Sequence, residues 1–176
     1  MSVDTSSTRN KIARIIGGAN ANSNFGGSFT TDYANGIRNG LIDFTLSSGS
    51  GTISSIKLFM YMNNGYGGTG NVDCHQLTRT NWTQAGVTYN KYDGTNAWTT
   101  AGGDYGATLS TTSVTTTNGW FSWDITSLGL TWGNDANLIL IANSACQADY
   151  DVVTNLPYIE ITYSTATTQG LFMMML

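Results

Sequence analysis

Apolar and polar residues alternate with a period of two along most of this chain. Over 53–62, Ile56, Leu58, Met60 and Met62 face one way while Lys57, Phe59 and Tyr61 face the other. That is the pattern of a half-buried β-strand. It predicts a second strand over 37–46, with Ile42, Phe44 and Leu46 opposite Leu41, Asp43 and Thr45. Phe121, Trp123 and Ile125 mark another over 120–125, and Ile159, Ile161 and Tyr163 a closing one over 158–163. In 72–77, Val72, Cys74 and Gln76 alternate with Asp73, His75 and Leu77, and 87–90 reads as a further short strand. Residues 138–142 are continuously apolar, which predicts a buried strand.

Between these runs lie segments with turn chemistry. Residues 1–36 are polar apart from a pulse at Ile12, Ile15 and Ile16, and 20–27 is dense in Asn and Gly, a loop signature. Residues 47–51 read as a turn, 63–68 as a hairpin loop, 107–118 as a flexible or edge segment and 143–156 as a loop. Thr126 or Ser127 can cap a short helical turn near 126–132, which Gly129 and Gly133 keep short. Six or more short strands at this spacing predict an all-β fold, a single-domain β-sandwich or jelly roll over 1–163. A spacer and an apolar tail follow over 164–176.

Composition narrows the function classes. Only 10% of the residues are charged and the net charge is −4, so the basic stripe needed for nucleic acid or an acidic membrane is absent. No apolar run approaches the ~18 residues of a membrane span, and the first ten residues show no signal-peptide pattern. Cys74 and Cys146 match no metal spacing; buried free thiols are the expectation, with one disulfide left open. The tail Leu171, Phe172, Met173, Met174, Met175 and Leu176 is apolar enough to predict an assembly contact with a subunit or partner.

Candidate chemistry centres on the aromatics. Trp82, Trp120 and Trp123 are expected in the core, whereas Trp98 suits either the core or an exposed platform. A sugar site would stack on Trp98, Tyr92 or Tyr105, with Asn96 and Asp104 bonding the hydroxyls. Calcium is a candidate cofactor, with Asp4, Asp104, Asp149 and Asp151 as oxygen ligands, although no D-x-D-x-D-G loop is present. His75 is the only histidine and no G-x-S-x-G motif accompanies it, so no enzyme is expected. Asp93 with Asp104, the one tempting carboxylate pair, is better explained by turns.

An ordered series of short motifs resembles the DNRLRE-domain family. Asp4-Thr5 comes first, then Asn22-Ser23-Asn24-Phe25-Gly26, Leu41 to Ser47, and Ile53 to Leu58. Leu77-Thr78, Trp82 to Asn90, Trp98 to Tyr105, Trp123 to Leu128 and Pro157 to Tyr163 continue it in the same order. The arginine of the family's "LIRFD" strand is Asp43 here, and the Ser-x-Glu that often precedes the closing strand is missing. The resemblance implies a sandwich related to carbohydrate-binding modules, found in extracellular polysaccharide-active proteins and in tailed-phage structural proteins. Two readings follow from it. The first, and the preferred one, is a non-enzymatic virion module (decoration, tail or baseplate) that assembles through its termini as a homo-oligomer, a trimer being expected, and contacts other virion proteins and host glycans. The second is an extracellular module that binds a cell-surface polysaccharide. The expected location is the virion surface or the extracellular space.

Overall fold

A computed structural model describes residues 1–33, 37–66, 68–144 and 146–165. Leu171, Phe172, Met173, Met174, Met175 and Leu176, the expected assembly contact, lie outside the described residues. The strands are β1 (Ser2–Asp4), β2 (Thr8–Ile16), β3 (Phe25–Gly26), β4 (Thr30–Asp32), β5 (Arg38–Thr45) and β6 (Thr52–Tyr66). They continue with β7 (Gly70–Leu77), β8 (Tyr105–Val114), β9 (Gly119–Asp124), β10 (Asp135–Ala142), β11 (Gln147–Asp151) and β12 (Tyr158–Ser164). A 3-10 turn at Thr126–Leu128 ends at Gly129, in the expected place.

All strand pairs are antiparallel, and the hydrogen-bonded sheet curls into two layers. One layer runs β1-β12-β6-β9 and the other β3-β2-β5-β10-β7-β8. β11 and β4 join them, pairing from the far half of β6 across to the start of β5. This is the all-β sandwich expected from the alternation. The even-numbered residues Ile56, Leu58, Met60 and Met62 of β6 meet Ile42, Phe44, Leu138 and Leu140 of the second layer in the main core. Trp123 sits within it and donates its indole N–H to the Val72 carbonyl at 2.8 Å.

Several local expectations change. Segment 143–156 holds a strand, β11, and 1–36 holds the nine-residue β2. β11 buries Ala148 and Tyr150 in alternation between the polar Gln147, Asp149 and Asp151. β2 does not alternate, because Ile12 joins the main core and Ala13 and Ile15 a second cluster on its other face. Segment 87–90 forms no strand; an isolated bridge between Lys91 and Ala97 follows it. Cys74 and Cys146 are both buried free thiols.

The continuous apolar run of β10 has a specific cause. Its even-numbered residues face the main core, but Ile139 belongs to a second cluster on the outer side of the same layer. That cluster joins Ala13, Ile15, Leu41 and Leu77 to Trp82, Val87 and Trp98. Residues 78–104 are therefore a lid over the outer face of the second layer.

Candidate functional site

The lid has no regular ladder of its own, so side chains satisfy its backbone groups. Lys11 Nζ donates to the carbonyls of Thr80 and Trp82, lies 4.6 Å from the Trp82 ring, and pairs with Asp43 at 3.1 Å. Burial holds the Asp43 carboxyl above its ordinary value, and Lys11 offsets only part of that rise. Asn24, from the Asn-rich loop, donates to Gln84 and Val87 carbonyls, and Gln84 Oε1 accepts the Ile12 N–H. Asn39 donates to the Gly102 carbonyl at 3.0 Å. At the far end of the lid, Gly102 and Gly103 adopt φ of +96° and +116°. A Cβ on Gly103 would lie 2.9 Å from Ile139 Cδ1. The positive φ is what calls for glycine here, since the Ile139 methyl could shift aside.

This end of the lid borders a cleft of about 490 Å³. Thr78, Arg79, Thr80 and Asn81 form one wall, and Thr99, Thr100, Gly103, Asp104 and Tyr105 the other. Tyr105 is 46% exposed and stands beside His75, ring centroids 4.8 Å apart. The buried His75 Nδ1 is 3.0 Å from the Gly106 carbonyl oxygen. The cleft thus offers one aromatic face amid hydroxyls, an amide and a guanidinium.

The expected sugar residues separate into three groups. Tyr105 and Asp104 line the cleft. Asp104 braces it: its carboxylate accepts the Thr99 and Thr100 N–H groups at 3.1 and 2.9 Å and meets Arg79 Nε at 3.4 Å. Tyr92 lies one level down, capped by the Arg79 guanidinium at 4.7 Å and touching Trp98 edge-on. Trp98, 5% exposed, is a pillar of the lid rather than a stacking platform, because the sheet beneath needs an apolar cover. Asn96 is elsewhere, closing a turn with Asp93. Arg79, Thr80, Asn81, Thr99 and Thr100 join the cleft without a motif of their own; the polar run before Trp82 is the one signal the sequence carries for them.

The four aspartates proposed for calcium do not gather. Asp4 accepts from Ser6 and Ser47, and Asp149 accepts from Thr30. Asp151 takes the N–H groups of Thr154, Val153 and Asn155, which pull its carboxyl down to about 2. Among the described residues no group of three or more His, Cys, Asp or Glu could hold a metal ion. Among them also, no helix is long and apolar enough to cross a membrane.

Burial alone would raise the Asp104 carboxyl, but the Thr100 and Thr99 N–H groups and Arg79 outweigh it and hold it below its ordinary value. A carboxylate depressed in the folded state contributes stability above its unfolded pKa of about 3.9 and loses it as pH falls through the folded value. The Thr99 and Thr100 amides are therefore expected to lose hydrogen-exchange protection below about pH 4. In Asp104→Asn that protection is expected to be weaker at neutral pH and flat across the window. Amide exchange by NMR checks both.

The fold is thus an antiparallel sandwich that holds an aromatic-walled polar cleft on a braced loop. Its family is shown by sequence: residues 5–145 match carbohydrate-binding module family 96, and the chain belongs to that family. The DNRLRE likeness stays a likeness. No curated protein matches the chain. Among solved structures, the K1 cleaved adhesin domain of Lys-gingipain from Porphyromonas gingivalis W83 is similar at 8% identity. The match covers 93% of this chain and 98% of that one at a TM-score of 0.38, too low to carry an argument. Of the two functional readings, the family supports polysaccharide binding and adds nothing to the virion role.

Proposed function

We propose that this module binds polysaccharide outside the cell, through the cleft at the end of the lid. The observation that carries the reading is Tyr105, nearly half exposed beside the cleft in a chain of a carbohydrate-binding family. A sugar ring laid on Tyr105 would present its hydroxyls to Asn81, Thr80, Thr99 and the free edge of the Arg79 guanidinium. An aromatic wall with a few placed polar groups is how such sites fix orientation. The brace at Asp104 and the stack beneath Arg79 hold those groups still before ligand arrives, which lowers the ordering cost of binding.

A glycan array on the wild type, followed by calorimetry on its best ligand, tests the proposal. Tyr105→Ala and Asn81→Ala are each expected to weaken binding about tenfold, roughly 1.4 kcal/mol. Both positions are exposed, so the fold should survive. Unchanged affinity in both variants would refute the cleft.

A further inference from the structure

The two outer faces of this sandwich are treated differently by the chain. The lid covers the second layer. On the first layer, the outward side chains of β6 (Lys57, Phe59 and Tyr61) all stay partly exposed. The same face carries Trp120 from β9 and Tyr158 from β12, brought beside β6 by the pairings Tyr61↔Trp120 and Phe59↔Tyr158.

Four rings make one continuous strip. Phe59 and Tyr158 stack in parallel, centroids 4.9 Å apart and planes 1° off. Trp120 meets Tyr158 edge-on at 5.2 Å and Tyr61 at 5.4 Å. Trp120 is 44% exposed, although its place next to Phe121 and Trp123 predicted the core. Strand alternation puts Trp123 inside and Trp120 outside. Stacked rings on a β-layer cannot rearrange freely, so the strip is a preformed apolar surface.

We infer that this strip is a second carbohydrate surface, distinct from the lid cleft, for neutral polysaccharide chains whose sugar rings expose a flat C–H face. The ligand class rests on family membership and not on the cleft reading. Two features fix its chemistry. The strip offers aromatic rings with the Tyr61 and Tyr158 hydroxyls and the Trp120 indole N–H at their rims, which suits stacking against C–H bonds with hydrogen bonds at the edges rather than enclosure in a polar pocket. Its charged border is Lys57 with Asp124 and Glu160 directly across on either side, an acidic balance in a chain of net charge −4. That border disfavours uronate or sulfated polymers. The surface also spans three strands, so it meets several consecutive sugars and favours long chains over free ends.

Affinity electrophoresis against soluble β-glucan, xylan, mannan and a polyuronate tests the inference, with Trp120→Thr, Tyr158→Thr and Tyr105→Ala beside the wild type. Threonine keeps strand propensity, and thermal melts confirm folding. The expected result is retardation by at least one neutral polymer that either strip variant weakens about tenfold or more, as loss of an aromatic anchor does, while Tyr105→Ala retains it. Retardation by the polyuronate alone, or by no neutral polymer, overturns the strip. So does full binding in both strip variants, and if Tyr105→Ala then abolishes binding, the cleft stands alone. A wild-type oligomer that becomes monomeric in Trp120→Thr with glycan binding intact would make the strip an interface between copies, and would also overturn it.

Discussion

Trp98→Ala is expected to destabilise the protein by about 3–5 kcal/mol, the range for emptying a buried tryptophan site. Trp98 is 5% exposed and packs with Trp82, Val87, Leu77 and Ile139 under the lid. Its indole N–H donates to the Thr88 carbonyl at 2.9 Å, which the alanine would leave without that donor. It also supports Tyr92, which supports Arg79, so the cleft wall should sag with it. The main core lies on the other side of the same layer and loses no contact. Urea denaturation followed with hydrogen exchange should therefore show 78–104 opening well below the global transition. Trp98→Phe restores part of the volume without the hydrogen bond and should fall in between. Should Trp98→Ala keep wild-type stability and lose only glycan binding, Trp98 is a contact residue and the pillar assignment fails.

Gly40→Ala should cost about 1–3 kcal/mol through overpacking, despite adding a single methyl group. Gly40 sits in the middle of β5, facing the main core, where its Cβ would lie 2.2 Å from two atoms of the Phe29 ring. Phe29 cannot swing away: it is 2% exposed and held edge-on by Tyr150 at 5.6 Å. Either the ring or the strand must shift, and the strand is paired with β2 on one side and β10 on the other. At this chain length each kcal/mol corresponds to about 2–4 °C in melting temperature. A calorimetric melt of Gly40→Ala indistinguishable from wild type would show that the Phe29 pocket has room the geometry denies. The double variant Gly40→Ala/Phe29→Leu should recover part of the loss by removing the clash.

The family assignment changes what the lid's motifs mean. Asn24, Trp82, Trp98 and the Gly102-Gly103-Asp104-Tyr105 turn belong to one construction, a loop fastened to a sheet. Most of these residues hold the loop in place; Tyr105 is the member turned outward. The aromatic strip draws on Tyr158, which lies beyond the matched residues 5–145, so its full outline is a property of this chain rather than of the family match.

The sequence by itself determined the sandwich. Alternation names the inward side chains of β6, Ile42 and Phe44 of β5 and Ile159 and Ile161 of β12, because a pleated strand turns successive residues to opposite faces. Tyr163, expected inward with them, follows a register shift and is half-buried against Trp132. It also placed the short turn at Thr126 and the thiols of Cys74 and Cys146 inside. Tertiary structure alone decided what each aromatic does. Alternation shows that Trp120 and Trp123 point opposite ways, and both look equally apolar in a string of letters. Which outer face is roofed depends on where 78–104 comes to rest, far from both residues in sequence. Because the lid settled on the second layer, Trp98 was buried on its underside against the sheet and Trp120 was left in the open.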